Sequence, residues 1–255
     1  MRVLLLFLDG VGIGVRDPAR NPFYTAHLPV LRSLLNGDLP HLRKRRLEGP
    51  NATLVPVDAN LRVAGLPQSG TGQTAIFTGV NAPRVIGRHF GPYPTTDLRP
   101  ILEQRNIFRQ LKEAGKTVVF ANAFPKQFFD YTNTGTRRLT ATTLSCMMAG
   151  VPLLTIDELR RNEGVSADIT RARWPEPGVP RITHVEPHEA GTHLARMTER
   201  HDFTLFEYWL TDHAGHSRDM AFAVDILQRF DAFFGGVLGS LDWRETVVLM
   251  ISDHG

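Results

Sequence analysis

Short apolar runs alternate with amphipathic stretches along the chain. Residues 3–8 (VLLLFL) form one such run, which ends abruptly at Asp9-Gly10. A central strand of a parallel sheet is buried on both faces and has this continuous apolar pattern. The same pattern predicts further strands over residues 53–57, 116–121, 203–210 and 246–251.

Amphipathic stretches lie between these runs and predict helices. Residues 106–114 (NIFRQLKEA) are amphipathic and stop at Gly115, which suits the end of a helix, and a strand follows at once. A helix, a glycine and a strand at this spacing form half of a βαβ unit. Other predicted helices cover residues 74–78, 141–149, 156–162, 188–200 and 220–241.

The alternation of strands and helices predicts an α/β fold with a mostly parallel central sheet. We expect residues 1–255 to form a single core domain. Residues 139–181 differ from the rest, because two short helical patterns lead into the proline-rich segment WPEPGVP. This stretch is predicted to be a small cap or an excursion over one edge of the sheet.

Composition excludes several classes of protein. The 255 residues are 42% hydrophobic and 22% charged, with a net charge of +3, as in a globular protein with a substantial core. One dense basic run, HLRKRR at residues 41–46, is too little for a nucleic-acid surface. The N-terminal apolar run is too short for a membrane span. A single cysteine, Cys146, favours a cytoplasmic location and an inert buried thiol.

Carboxylate and imidazole side chains follow three of the predicted strands. Asp9 follows the first, Asp212 and His216 follow the strand at 203–210, and Asp253-His254 follows the strand at 246–251. In a parallel sheet, these strand ends share one edge, where ligands bind. A single Asp in such a place is usually a helix cap or a turn residue. Their coincidence, however, predicts a site for zinc, manganese or iron, because a cation offsets the repulsion among carboxylates.

The turn SGTGQTAIFTG at residues 69–79 runs into an apolar helical segment. It lacks the Gly-Lys-Ser/Thr of a phosphate-binding Walker loop. Two roles are possible here for the hydroxyl of Ser69 or Thr71. It could simply cap the helix, or it could be a nucleophile that nearby cations activate, with the helix N-terminus facing a phosphoryl group.

These motifs together resemble the alkaline phosphatase superfamily in residue type and in order along the chain. The segments LPQSGTGQTAIFTG and DHAGH are most similar to the branch that holds cofactor-independent phosphoglycerate mutase and phosphopentomutase. In that family the nucleophile stands three residues before an internal glycine and ten before the end of the turn. Ser69 occupies this place relative to Gly72 and Gly79, and Thr71 does not.

The resemblance implies a three-layer sandwich that carries a two-metal centre for phosphoryl transfer. One divalent ion, zinc or manganese with magnesium also possible, is expected at Asp9, Asp253 and His254, beside the nucleophile Ser69. A second ion is expected at Asp212, His216 and a further histidine. The implied partner is a small phosphorylated substrate, with no nucleic acid or membrane.

Substrate contacts are expected from five residues around this centre. They are Thr71, Gln73, Arg84, Arg88 and His213. The mutases carry histidine where this chain has Gln73, so a hydrolase is favoured over a mutase. The family's final histidine lies beyond the position of Gly255, which predicts that the core domain is C-terminally incomplete.

Three other functions stay open. A non-catalytic metal-binding or phosphate-binding module is one, and a phosphodiesterase is another, because the same centre serves diesters. A sulfatase would need Cys or Ser in a Cys/Ser-x-Pro-x-Arg motif, and the turn after Ser69 has neither that Pro nor that Arg.

Overall fold

A four-stranded parallel sheet organises the computed structural model, which describes residues 1–134, 138–174 and 182–255. The strand order is β4-β5-β1-β6, and β2 pairs with β3 as a separate antiparallel ribbon. The strands are β1 Arg2–Leu8, β2 Leu47–Glu48, β3 Thr53–Leu54, β4 Val118–Phe120, β5 Phe203–Tyr208 and β6 Thr246–Ile251.

Helices connect the strands and cover the sheet. They are α1 Pro22–Thr25, α2 Pro29–Leu34, α3 Ser69–Thr78, α4 Ala82–Ile86, α5 Arg99–Arg105, α6 Ile107–Glu113, α7 Lys126–Asn133, α8 Ala141–Met148, α9 Ile156–Arg160, α10 Pro187–Thr198, α11 Leu210–Ser217 and α12 Met220–Ser240. A 3-10 turn, Thr96–Leu98, precedes α5. Within the described part of the chain, no helix has both the length and the apolar character needed to cross a membrane.

The side chains of β1 enter two separate apolar layers, because successive residues of a strand point to opposite faces. Leu4 and Leu6 pack with buried side chains of α10 and α12. Leu5 and Phe7 pack on the other face, with side chains of α3, α5, α6 and α8. Burying each such side chain stabilises the fold by roughly 1.5–3 kcal/mol. The fold is therefore a three-layer α/β/α sandwich, as predicted.

Most predicted elements are confirmed, and three need correction. Residues 69–73, which were predicted as a turn before a helix at 74–78, already belong to α3. The predicted strand at 53–57 is reduced to Thr53–Leu54, and it lies in the antiparallel ribbon outside the main sheet. The predicted strand at 203–210 stops at Tyr208, because Leu210 already begins α11. That earlier turn brings Asp212 into the first turn of a helix.

The first part of the segment at 139–181 is buried in the core. Residues 141–146 of α8 are buried, and α8 packs in the same layer as α3. Cys146 is fully buried there, as predicted, and burial raises the pKa of its thiol well above the ordinary value. Most of the WPEPGVP segment lies outside the described residues, so the predicted cap stays a prediction.

The strand β6 lies at the edge of the sheet. Among the described residues it pairs with β1 and with no other strand. Val247 is 41% exposed and Leu249 is 51% exposed. The fold therefore presents an apolar edge strand, directly before Asp253 and His254.

Candidate metal centre

Three strand ends bring the predicted acidic and imidazole residues together. The strand β1 lies between β5 and β6, with Leu8 beside Tyr208 and Phe7 beside Ile251. Asp9 therefore lies between the two loops that follow β5 and β6. The sheet order explains how residues more than 200 positions apart in the sequence meet at one edge.

Asp9, Asp212 and His254 form the centre of this cluster. Each offers one ligand atom, and the three atoms lie within 4.8 Å of one another. The Nε2 atom of His254 is 3.6 Å from Oδ1 of Asp9 and 3.8 Å from Oδ1 of Asp212. The same nitrogen is 3.8 Å from Oδ2 of Asp253. The resemblance implied Asp212 as a ligand of the second metal. In the structure Asp212 lies instead with Asp9 and His254, two of the ligands implied for the first metal.

Ser69 is the first residue of α3 and faces this cluster. Its Oγ lies 3.0 Å from Nε2 of His254, and it donates a 3.4 Å hydrogen bond to Oδ1 of Asp9. The helix cap is the preceding residue, Gln68, so the Ser69 hydroxyl is not occupied in capping. Ser69 therefore presents its hydroxyl to the cluster from the positive end of a helix.

Gln73 supports the cluster from inside α3. Its side chain is buried, and Nε2 donates a 3.2 Å hydrogen bond to Oδ2 of Asp9. Asp9 therefore accepts hydrogen bonds on both carboxylate oxygens, from Ser69 and from Gln73. The predicted substrate contact of Gln73 stays a prediction. Its amide nitrogen is already bonded to Asp9.

Two glycines allow the elements of the site to approach. A Cβ at Gly72 would lie 2.8 Å from the Cβ of Asp253. Gly10 has a φ of +68°, and a Cβ there would lie 2.8 Å from Oδ1 of Asp212. A larger residue at either position would push α3 or α11 away from the strand ends.

The carboxylates of the cluster are electrostatically crowded. Burial raises the pKa of Asp9, and the charges of Asp253 and Asp212 raise it further. Burial also raises the pKa of Asp253, whose Oδ2 is buried without a hydrogen-bond partner in the described structure. A buried carboxylate oxygen in this state calls for a cation. The donor set of carboxylates and one imidazole fits a divalent metal ion.

The remaining predicted residues lie around this centre. His216 is 3.5 Å from Oδ1 of Asp212, yet its side chain is 79% exposed. His213 is exposed, and its ring contacts Trp209 and Phe222. Thus His216 lies at the border of the cluster and His213 lies on the outer side of α11.

Thr71, Arg84 and Arg88 have other surroundings. Thr71 is fully buried, and its hydroxyl donates to the carbonyl of Gln68 and accepts from the amide of Phe90. Arg84 and Arg88 are exposed, and the Arg88 guanidinium lies over the Phe90 ring. Among the described residues, no ion pair joins these arginines to the acidic cluster.

Comparison with known proteins agrees with this geometry. The family profile described as the Metalloenzyme superfamily matches residues 1–255. The chain belongs to the Metalloenzyme superfamily. The match confirms the predicted superfamily, and the mutase branch stays a prediction. None of the curated proteins matches the sequence.

A solved structure shares the fold of this metalloenzyme. It is the structure of the PH0037 protein from Pyrococcus horikoshii, which is 15% identical and has a TM-score of 0.50. The match covers all of this chain and 79% of that chain. At this identity the likeness supports the α/β/α fold alone.

One acidic residue near the centre of this metalloenzyme was not predicted. Glu207 lies in β5, and burial together with the charge of Asp9 raises its pKa to about 8. The side chain of Asn122 bonds the backbone of Glu207 at both N–H and C=O, which fixes this end of β5. A lone carboxyl inside the apolar strand FTLFEY is the sequence signal that could have found it.

Proposed function

We propose that this protein is a metal-dependent phosphoryl-transfer enzyme that uses Ser69 as its nucleophile on a small phosphate ester. The supporting observation is the position of Ser69 Oγ, 3.0 Å from Nε2 of His254 and 3.4 Å from Oδ1 of Asp9. Membership of the Metalloenzyme superfamily supports the metal-dependent part of the proposal.

The residues that would hold the metal are Asp9, Asp212 and His254, with Asp253 beside them. A bound divalent ion, zinc or manganese, would lower the pKa of a nearby hydroxyl and offset the negative charge of a phosphoryl group. A second ion, as the resemblance implies, is part of the proposal and would involve His216.

The protein's own groups position the nucleophile. Asp9 accepts a hydrogen bond from the Ser69 hydroxyl and so fixes its direction, and Gln73 in turn holds the Asp9 carboxylate. Ser69 Oγ attacks phosphorus, the bond from phosphorus to the alcohol oxygen of the ester breaks, and the proton lost from the serine hydroxyl is balanced by the proton that the departing alcohol gains. Water then cleaves the phosphoserine and releases inorganic phosphate. A hydrolase outcome needs no further acceptor.

Turnover of an aryl phosphate by the manganese-reconstituted or zinc-reconstituted protein tests this proposal. We expect Ser69→Ala to reduce kcat by about three orders of magnitude or more, because the nucleophile is removed. Ser33→Ala, which removes an exposed hydroxyl on α2, is the matched control. Acid quench and mass spectrometry should show phosphoserine at Ser69 in the wild type. Full activity of Ser69→Ala would reject the nucleophile assignment.

A non-catalytic metal-binding module is the second candidate. The exposed side chain of His216 favours it, because a built two-metal centre would hold this ligand in place. This candidate predicts one tightly bound ion per chain and no turnover of any phosphate ester. Two tightly bound ions, with turnover that depends on Ser69, would exclude it.

A further inference from the structure

A cavity of about 610 Å³ opens beside Asp9, over the carboxyl ends of β4 and β5. It is far larger than a phosphoryl group needs and falls in the size range of small-molecule sites. Asp9 and Glu207 both line it, so the cavity reaches the edge of the metal centre at Asp9. The organic part of a substrate held at Ser69 would therefore extend into this space.

Seven aromatic side chains contribute to the wall of the cavity. They are Tyr93, Phe120, Phe124, Phe128, Tyr131, Trp174 and Trp209. The rings of Phe124 and Phe128 are 4.4 Å apart between centroids, and Phe120 meets Phe124 edge-on at 5.7 Å. Trp174 is held by a 2.7 Å hydrogen bond from Nε1 to the Ser166 hydroxyl. These contacts hold the rings of Phe124, Phe128 and Trp174 in place without a ligand.

One of the acidic residues that line the cavity, Asp168, already has hydrogen-bond partners. Asp168 is buried, and its carboxylate accepts hydrogen bonds from the Ser166 hydroxyl and from the backbone amides of Arg171 and Arg173. It is therefore not a free anion that would select a cationic ligand. The groups that remain for a ligand include the aromatic rings and the guanidinium groups of Arg138 and Arg173.

We propose that this cavity binds a planar aromatic group, so that the substrate is a phosphate ester that carries an aryl or heteroaryl ring. The inference rests on the proposed function for the position of the phosphate. Offset and edge-on ring contacts favour an aromatic ligand over a saturated ring of the same size. A saturated ring would gain the same burial but not these contacts.

Binding of two matched phosphonates tests this inference without any need for turnover. Benzylphosphonate and cyclohexylmethylphosphonate carry the same charge and a six-membered ring of similar size. We expect the manganese-loaded protein to bind the aromatic compound about tenfold more tightly in calorimetric titration. Equal affinities would overturn the inference.

Leucine variants locate the selectivity. Phe128→Leu and Trp209→Leu should each reduce the preference for benzylphosphonate by about threefold or more. Trp243→Leu is the control, because Trp243 is 53% exposed and precedes β6, at the opposite end of the sheet. Trp209 is itself 41% exposed, so its variant should fold even if Phe128→Leu does not. An unchanged preference in the Trp209 variant, and in a folded Phe128 variant, would reject these rings as the site.

Hydrolysis of benzyl phosphate and cyclohexylmethyl phosphate separates this inference from the proposed function. Both esters release a primary alcohol, so the leaving groups are similar. Selective binding of benzylphosphonate without hydrolysis of either ester would refute the proposed function and uphold the aromatic site. Hydrolysis of both esters with equal kcat/KM, together with equal binding of the two phosphonates, would uphold the proposed function and refute the aromatic site.

Discussion

At the scale of single residues, the site depends on buried carboxyl groups that the fold keeps close together. Asp9 and Asp253 are both buried, and Glu207 lies behind Asp9 in β5. Such groups cost stability when they ionise without a cation. In the proposed function, a metal ion held by Asp9, with Asp253 beside it, would offset this cost.

Glu207 should make the metal-free protein less stable as the pH rises. Its pKa is raised from an ordinary 4.5 to about 8, so the folded state keeps a proton that the unfolded state has lost between these values. The free energy of unfolding therefore falls as the pH rises through this range. We expect Glu207→Gln to be more stable than the wild type at pH 8, by on the order of 3 kcal/mol.

Urea unfolding of the metal-free proteins at pH 5 and pH 8 measures this difference. The advantage of Glu207→Gln should be smaller at pH 5. Glu103→Gln, at an exposed position on α5, should follow the wild type at both values. A wild-type protein that is as stable as Glu207→Gln at pH 8 would contradict the raised pKa.

At the scale of elements, the close contact of α3 with the loop after β6 determines whether Ser69 reaches the cluster. Gly72→Ala would place a Cβ 2.8 Å from the Asp253 Cβ. We expect a loss of roughly 1–3 kcal/mol in the free energy of unfolding, because one of the two elements must move. The affinity of this variant for a metal should also fall, and titration with manganese would measure that affinity.

Gly239→Ala provides the control for this substitution. Gly239 also lies in a helix, but a Cβ there would meet nothing within 4 Å. Alanine should therefore be neutral or stabilise α12 by up to about 1 kcal/mol. A Gly72→Ala variant that matched the Gly239→Ala variant in stability and metal affinity would show that the contact is unimportant.

The sequence predicts the elements of this fold better than it predicts their contacts. A continuous apolar run identified β1, because a strand buried in a parallel sheet needs no polar face. The apolar run of β6 was predicted in the same way, although β6 lies at the edge of the sheet with Val247 and Leu249 exposed. The residues 53–57 have a similar local pattern, and only tertiary pairing decides that they form a short ribbon. The bond from Gln73 to Asp9 joins residues 64 positions apart, and no local pattern indicates it.

In the candidate site too, the sequence predicts some features and not others. Asp9, Asp212 and His254 were predicted from their places after strands, and the structure brings them together. Glu207 was missed, because its signal is a lone carboxyl inside the strand FTLFEY, which has no periodic pattern or motif spacing. The sequence also could not show that His216 is largely exposed, since that depends on how α11 leaves the sheet.

At the scale of the whole molecule, a metal at this centre would connect three separate strand ends. Manganese or zinc should therefore raise the thermal unfolding midpoint, because ligand binding to the folded state adds about 2.7 kcal/mol at a hundred times its Kd. Asp212→Asn should lose most of this gain. His216→Ala should keep most of it, since its side chain is 79% exposed.

Scanning calorimetry with and without the metal tests this prediction. Chelation should return the wild type to the midpoint of the metal-free protein. A midpoint that metal does not shift would count against the centre. An equal loss in His216→Ala and Asp212→Asn would instead show that His216 binds the ion.

The edge position of β6 has a consequence for the order of folding. Asp9 and His254 are 245 positions apart in the sequence, so joining them closes a very long loop and gives the site a high contact order. Among the described residues, β6 is held by β1 alone, and elements with few buried apolar contacts open at the lowest free energy. The metal centre would therefore be among the last parts of the molecule to assemble and among the first to come apart.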